Sequence, residues 1–301
     1  MKQPLVSIII PVFNRVDLIN DTLNSVLNQT YTNWECLMID DGSSDGTKSI
    51  LKEYQSKDSR FTFIERPIDI TKGANPCRNL GITNSKGDYV QFLDSDDYMD
   101  SEKLRLQVNI LNQSSNTTVA ICDWDRFHSD VSEANFKKLL PYAKNFSSAK
   151  LYLNALGKKW IPPLCYLVPR RLIDMAGFWD ESIIINQDAE YFVRVLLNCT
   201  EVKFVKDARV LYRHHTKGNV SSETAKKVQA KIDSFKLMQD HLKSIYIDEP
   251  NLYIEGSKDM YYRRIKRRFP EIIKNNRYFF KSQIKSHGFI AKVKRKLKTL
   301  F

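Results

Sequence analysis

Three carboxylates fall within four positions, Asp94, Asp96 and Asp97, directly behind the apolar run Tyr89-Val90-Gln91-Phe92-Leu93. Anions crowded at the end of a buried strand repel one another unless a cation is shared. An all-oxygen ligand set suits a hard divalent ion, Mg²⁺ or Mn²⁺, which completes its shell with water and substrate phosphates. By itself the motif also reads as a solvated acidic turn. A second pair, Asp40-Asp41, closes another apolar strand and opens the run Gly42-Ser43-Ser44-Asp45-Gly46-Thr47. The glycines give that run the backbone freedom of a tight turn, and Asp45 or Thr47 can cap the next helix. Turn formation does not account for paired carboxylates at a strand's mouth. Asp41 could accept the imide N–H of a uracil ring, with Phe13 as an apolar wall.

These residues need a scaffold that brings strand ends together, and the chain alternates accordingly. Strands are predicted at Leu5 to Ile10, where Pro11 stops the first, then at Glu35 to Asp40, Phe61 to Glu65, Tyr89 to Leu93 and Val119 to Cys122. Helices are predicted between them at Asp17 to Asn28, Gly46 to Tyr54 and Asn75 to Asn84, with a further one capped by Ser101 and carrying Leu104, Val108 and Leu111. Such alternation implies an α/β fold, a mostly parallel sheet with helices on both faces and ligands at the strands' carboxyl ends. From 125 to 165 the pattern loosens, with helical pieces near Leu139-Leu140 and over Leu151 to Leu156. Order returns with Leu172 to Ala176, a helix from Ala189 to Asn198 and a strand pair from Val202 to Arg213. From about Ser221 only helices are expected.

Taken as a set, several segments resemble family 2 glycosyltransferases of the GT-A fold. They are Val6-Ser7-Ile8-Ile9-Ile10-Pro11-Val12-Phe13-Asn14, Asp40 to Thr47, Lys72-Gly73-Ala74-Asn75-Pro76-Cys77-Arg78-Asn79-Leu80-Gly81-Ile82, Leu93 to Asp97, Gly177-Phe178-Trp179-Asp180-Glu181 and Gln187-Asp188. The resemblance covers about residues 4–221 in the family's own order. It implies a catalytic domain over 1–220 and a basic helical extension over 221–301. It implies that Pro11, Phe13 and Asp41 line the base pocket of a nucleotide-diphosphate sugar, most often a UDP-sugar. Asp94 and Asp96 would form the DxD pair, with Asp96 the direct ligand of Mn²⁺ or Mg²⁺ and Asp94 nearer the ribose or the metal's water shell. Arg78 falls where the family has a donor-site arginine; alternatively it is a helix-surface arginine paired to a sheet-edge aspartate. Asp188 matches the family's general base, placed ahead of a helix whose dipole would keep it ionised, although a helix cap is the plainer role. Gln187 stands where a glutamate is common, and Trp179 departs from the usual phenylalanine. His215 fits the Tyr-Arg-x-His spacing of a residue near the diphosphate or metal, and Arg213 and Lys217 are further candidates for diphosphate contact. The activity implied is metal-dependent, inverting transfer to a glycan or lipid-linked glycan acceptor in surface polysaccharide synthesis.

Composition bounds the rest. The 301 residues, 42% apolar, suffice for one large domain with an appendage. No apolar run approaches the roughly 20 residues of a membrane span, and the early first strand leaves no room for a leader. Cys36, Cys77, Cys122, Cys165 and Cys199 are scattered without CxxC pairs, which argues for reduced, buried thiols and a cytoplasmic setting. Residues 258–301 hold 15 Lys+Arg against 2 Asp+Glu, so +13 of the net +12 lies there and residues 1–257 carry −1. That tail mixes cationic and aromatic residues and suits an anionic membrane surface, giving a peripheral association with the inner face. Nucleic acid binding through phosphates is the rival reading, though no nucleic acid partner is expected, and a solvated or packed face is the third. A non-catalytic protein acting through this tail is the alternative to an enzyme. A sugar nucleotidyltransferase would need a Gly-rich basic loop after the first strand, where Pro11-Val12-Phe13-Asn14-Arg15 stands, and a calcium loop would need a glycine and a terminal glutamate that the Asp94 cluster lacks.

Overall fold

The computed structural model describes residues 3–136, 140–157, 159–214, 224–247 and 251–287. In chain order the elements are β1 (Val6–Val12), α1 (Ile19–Leu27), β2 (Trp34–Asp40), α2 (Thr47–Lys57), β3 (Phe61–Glu65), α3 (Ala74–Asn84), β4 (Tyr89–Phe92), β5 (Tyr98–Met99), α4 (Lys103–Leu111) and β6 (Thr118–Phe127). They continue with α5 (Ala149–Leu156), β7 (Val168–Pro169), α6 (Arg170–Ala176), α7 (Gln187–Leu197), β8 (Glu201–Arg213), α8 (Ala225–Leu242), α9 (Leu252–Ile265) and α10 (Pro270–Asn275). A five-stranded sheet has the order β3-β2-β1-β4-β7, parallel except for β7. A smaller sheet, β5-β8-β6, stands beside it. This is the expected α/β architecture with a mainly parallel central sheet.

β1 is central, and Ile8, Ile9 and Ile10 are fully buried. Contrary to the sequence expectation, Pro11 does not stop it: Pro11 and Val12 continue in register with Ile39 and Asp40 of β2. The reason lies in the alternation of bonds. Leu5 and Ile9 accept amides from the β4 side (Tyr89 N–H and Leu93 N–H, both 3.1 Å). Pro11 faces the same side, beyond the last paired residue of β4, so its missing N–H interrupts no pairing of the ladder. α3 packs across β1 and β2 at Gly81, where a Cβ would collide with the Ile9 side chain. That close approach sets the height of the helix that carries Arg78.

Three boundaries differ from expectation for local reasons. Residue 102, not Ser101, occupies the cap of α4, and Asp100 Oδ1 accepts the Glu102 amide at 3.1 Å instead. β6 runs on to Phe127, because it pairs in parallel with β8 over its whole length. The strand pair expected from Val202 to Arg213 is one strand: Cys122 faces Val205 while Asp123 faces Arg209, so Lys206-Asp207-Ala208 bulges out, with Asp207 at φ +68°. A bulge read along the sequence looks like a hairpin turn.

The core is continuous from Val6 to Phe280. α8 buries Val228, Ile232, Phe235 and Met238, and α9 buries Ile254, Tyr261 and Ile265, so the described part of the extension is packed rather than free. All five cysteines are buried and unbridged. Among the described residues no helix is long and apolar enough to cross a membrane.

Candidate active site

The carboxyl ends of β1 and β2 are stitched together by their loops. Asn14, at φ +48°, accepts the Ser44 amide (2.9 Å), while the Asn14 amide reaches Ser43 Oγ (2.9 Å) and the Arg15 amide reaches Thr47 Oγ1 (2.8 Å). Asp40 is wholly buried and accepts the amides of Gly42 (3.0 Å) and Ser43 (2.9 Å), so it builds the turn, with Gly42 at φ +86°. Asp41 is the other kind of residue. It points to Arg66, whose Nε donates to Oδ1 at 2.5 Å, both side chains 9% exposed. Phe13 is 39% exposed and the Lys72 ammonium lies 3.8 Å from its ring centre. Pro11, Phe13 and Asp41 thus cluster at the ends of adjacent strands, and Arg66 and Lys72 are cationic neighbours that sequence reading did not assign.

Beyond β4 the acidic residues divide. Asp94 is partly exposed and accepts from Arg78 Nη2 at 2.8 Å; Asp96 lies 3.4 Å from Arg15 Nε. Asp97 is 1% exposed, accepts the Arg213 amide at 2.9 Å, and keeps Oδ2 buried without a partner. Burial, followed by the charges of Asp94 and Asp96, pushes its carboxyl well above the usual range. Asp97 is therefore buried in the fold and set apart from the pair Asp94 and Asp96. Two remain at the surface of the cleft. Among the described residues no group of three His, Cys, Asp or Glu side chains converges on a point. Two carboxylate ligands at the cleft surface fit a Mg²⁺- or Mn²⁺-type ion that draws its remaining ligands from phosphates and water.

Arg78 is 3% exposed and far from the helix-surface residue of the plainer reading. Its guanidinium lies 4.5 Å from the Trp179 ring centre, and Nη1 donates to Asn75 Oδ1 at 3.1 Å. Burial opposes its charge, but Asp94 and Asp188 outweigh burial and hold its pKa up. The 177–186 loop is pinned to α3 on either side of it. Asn75 Nδ2 donates to Asp180 O (2.8 Å); Asn79 Nδ2 donates to Trp179 O and Glu181 Oε1 (2.9 Å each) and its Oδ1 accepts the Trp179 amide (2.8 Å). Trp179 stacks on Tyr191 of α7 at 4.1 Å. The tryptophan that departs from the usual phenylalanine is thus the joint between the arginine and the next helix.

Asp188 lies in the first turn of α7, one residue inside the helix, with Asn186 at φ +66° as its cap and tied to Ser234 of α8 at 3.1 Å. Asp188 Oδ1 is buried without a hydrogen-bond partner, against a small cavity lined by Trp160, Ile161, Tyr166, Phe192 and Tyr253. That apolar wall pushes its pKa up to about 6, more than Arg78 pulls it down. Asp188 is thus still ionised at pH 7, as expected at a helix N-terminus, but burial brings its pKa close to neutrality. It is not at the cap position, which Asn186 holds. Asp188 is an unsatisfied carboxylate poised near neutrality, within electrostatic reach of Arg78 and Asp94.

The model of the family described as "Glycosyl transferase family 2" matches residues 7–162. An uncharacterized glycosyltransferase of Haemophilus influenzae is 34% identical over 218 residues, covering 71% of this chain and 78% of that protein. The chain is a family 2 glycosyltransferase. A putative teichuronic acid biosynthesis glycosyltransferase, TuaG of Bacillus subtilis, is 40% identical over 113 residues, 38% of this chain and 44% of that one. Among solved structures, S. aureus TarS 1–349 in complex with UDP-GlcNAc superposes with a TM-score of 0.64 at 16% identity, over 90% of this chain and 74% of that one. The mannosyltransferase PcManGT from Pyrobaculum calidifontis, in complex with GDP-Man and Mn²⁺, gives 0.56 at 14% identity, over 87% and 70%. These likenesses place the glycosyltransferase in the GT-A fold, and an enzyme is the correct reading over a non-catalytic tail-driven protein.

Of the residues expected in this glycosyltransferase's site, Pro11, Phe13, Asp41, Arg78, Asp94, Asp96 and Asp188 all lie at the carboxyl side of the sheet. His215 and Lys217 lie outside the described residues. Arg213 is not open to a diphosphate: Nε donates to Asp96 O (2.8 Å), Nη1 to His128 O (3.1 Å) and Nη2 to Asp21 (2.7 Å), over the face of Phe127. It braces the acidic loop from behind. Arg15, Arg66 and Arg213 were invisible as partners because their aspartates lie 25 to 192 positions away.

Proposed function

We propose that this glycosyltransferase moves a sugar from a nucleotide-diphosphate sugar, UDP-linked, to a glycan or lipid-linked glycan acceptor in surface polysaccharide synthesis, by a metal-dependent inverting displacement. The observation that carries it is the buried Arg78, which faces both the partly exposed Asp94 and Asp188. Pro11, Phe13 and Asp41 hold the nucleoside base, with Arg66 orienting the Asp41 carboxylate. Asp96 and Asp94 would hold Mn²⁺ or Mg²⁺, which supplies charge neutralisation for the departing diphosphate. Arg78 adds fixed positive charge at the same place without reorganising, because Asn75 and Trp179 hold it. Asp188 accepts the proton of the attacking acceptor hydroxyl, and a single displacement inverts the anomeric carbon. The teichuronic acid relative and the UDP-GlcNAc-bound neighbour support the substrate class.

Residues 1–220 are proposed as the catalytic domain and 221–301 as a basic helical extension, whose stretch from 258 would face an anionic membrane at the cytoplasmic side. Arg263, Arg264, Arg267 and Arg268 are exposed on or just after α9, which supports this. The test of the activity is release of nucleoside diphosphate from a panel of nucleotide sugars with Mn²⁺. UDP-sugars respond first, Asp96→Ala abolishes metal-dependent donor binding, and Asp188→Ala keeps binding but loses transfer. Normal transfer by Asp188→Ala would remove the base assignment.

A further inference from the structure

Trp124, Trp160 and Tyr212 come from β6, from the segment after α5 and from β8, and their rings meet in a triangle. Ring centres are 5.9 Å apart for Trp124–Trp160, 5.7 Å for Trp160–Tyr212 and 6.4 Å for Trp124–Tyr212, with interplanar angles of 79° to 85°. All three are only partly buried. Tyr212 lies within electrostatic reach of Asp97, Asp94, Asp96 and Asp188. Trp160 lines the cavity against which Asp188 is set. The Trp124 indole N–H is engaged with Tyr142 Oη at 2.7 Å, which fixes that ring. By contrast, the Trp160 indole N–H and the Tyr212 hydroxyl donate to no described residue.

A core aromatic cluster would be buried and its polar tips satisfied. This one is partly exposed, two of its donors have no partner among the described residues, and Trp160 borders the cavity of the carboxylate that needs a hydroxyl. We propose that Trp124, Trp160 and Tyr212 form the acceptor subsite, and that the acceptor is a pyranose ring at the end of a glycan rather than an open-chain polyol. A pyranose offers a flat C–H face to an aromatic surface and equatorial hydroxyls at its rim, which is the pattern displayed here. An acyclic polyol has no such face. Trp160 is the specificity-determining contact, because it alone touches both the triangle and the Asp188 cavity. The inference rests on the glycosyl-transfer reading and names its acceptor class.

The test has two readouts on the full chain. Intrinsic fluorescence is titrated with methyl pyranosides of glucose, galactose, N-acetylglucosamine and glucuronic acid, with ribitol and glycerol as open-chain controls. Trp34 and Trp179 are buried, so a quench reports Trp124 and Trp160. At least one pyranoside quenches wild type while the polyols do not, and Trp160→Ala weakens that binding by roughly tenfold. In parallel, Trp160→Ala raises the acceptor KM by a similar tenfold factor, with Trp160→Phe recovering part of it, while nucleotide affinity, read by a separate binding titration, stays with wild type. Should Trp160→Ala not fold, Tyr212→Phe and the wild-type titration carry the same comparison. Quenching by polyols equal to pyranosides, no quench at all, or an unchanged acceptor KM in Trp160→Ala overturns the proposal. Absence of donor hydrolysis in wild type with every nucleotide sugar would instead overturn the transfer reading beneath it.

Discussion

Asp188→Asn should make the protein more stable and less active at once, in a way that depends on pH. The wild-type carboxyl has its pKa raised from 3.8 to about 6 in the folded state, chiefly by the apolar wall behind it. A raised carboxyl pKa means that the fold prefers the protonated form. Its favourable contribution is complete below about pH 4 and lost as pH rises through about 6. At pH 7 the folded protein therefore bears the cost of an ionised group that the unfolded chain does not. About two pKa units correspond to about 3 kcal/mol. Asparagine keeps the shape and cannot ionise, so the metal- and donor-free variant gains up to that amount at pH 7. In melting temperature this is roughly 5 °C. The gain vanishes at pH 4. Paired denaturation curves between pH 4 and 8 measure it directly. In the same range wild-type transfer falls about tenfold per pH unit below 6, as the base becomes protonated. A stability difference that is constant with pH, or a variant weaker than wild type at pH 7, would refute the argument that burial sets this pKa.

Gly81→Ala should destabilise by about 1–3 kcal/mol, because its methyl would drive α3 away from Ile9, and donor affinity should fall with it; denaturant titration and donor binding check both. Asn79→Ala removes three hydrogen bonds to the 177–186 loop, so transfer should drop by at least tenfold while donor binding changes little, as read by separate binding and turnover assays. The full chain should sediment with anionic vesicles and not with neutral ones, and salt should release it, since the stretch from 258 carries 15 basic residues against 2 acidic ones.

Much of the scaffold was legible because it is written locally. The Val6 to Ile10 run, the turn after Asp40 and the apolar stretch before Asp94 each depend on neighbours within a few positions. Phe61 to Glu65 coincides with β3, and α3 begins one residue before its predicted start. What escaped notice depends on distant partners. Nothing around Asp97 distinguishes it from Asp96; only packing puts one inside and the other at the rim. Arg213 reads as a phosphate ligand until its three acceptors, on segments near 21, 96 and 128, are seen to consume it. Pro11 reads as a stop because the sequence does not reveal that β4 ends before reaching it. The aromatic triangle is assembled from residues 124, 160 and 212, which no window of sequence contains.

The pinning of the 177–186 loop by Asn75 and Asn79 makes one short helix the common mount for both reacting ends. Residues 125–165 lie outside that mount and supply Trp160 and Ile161 to the cavity beside Asp188, so exchanging them would change what the base faces without loosening what holds the 177–186 loop. Transplanting that stretch between relatives would amount to changing a lens while the camera stays focused.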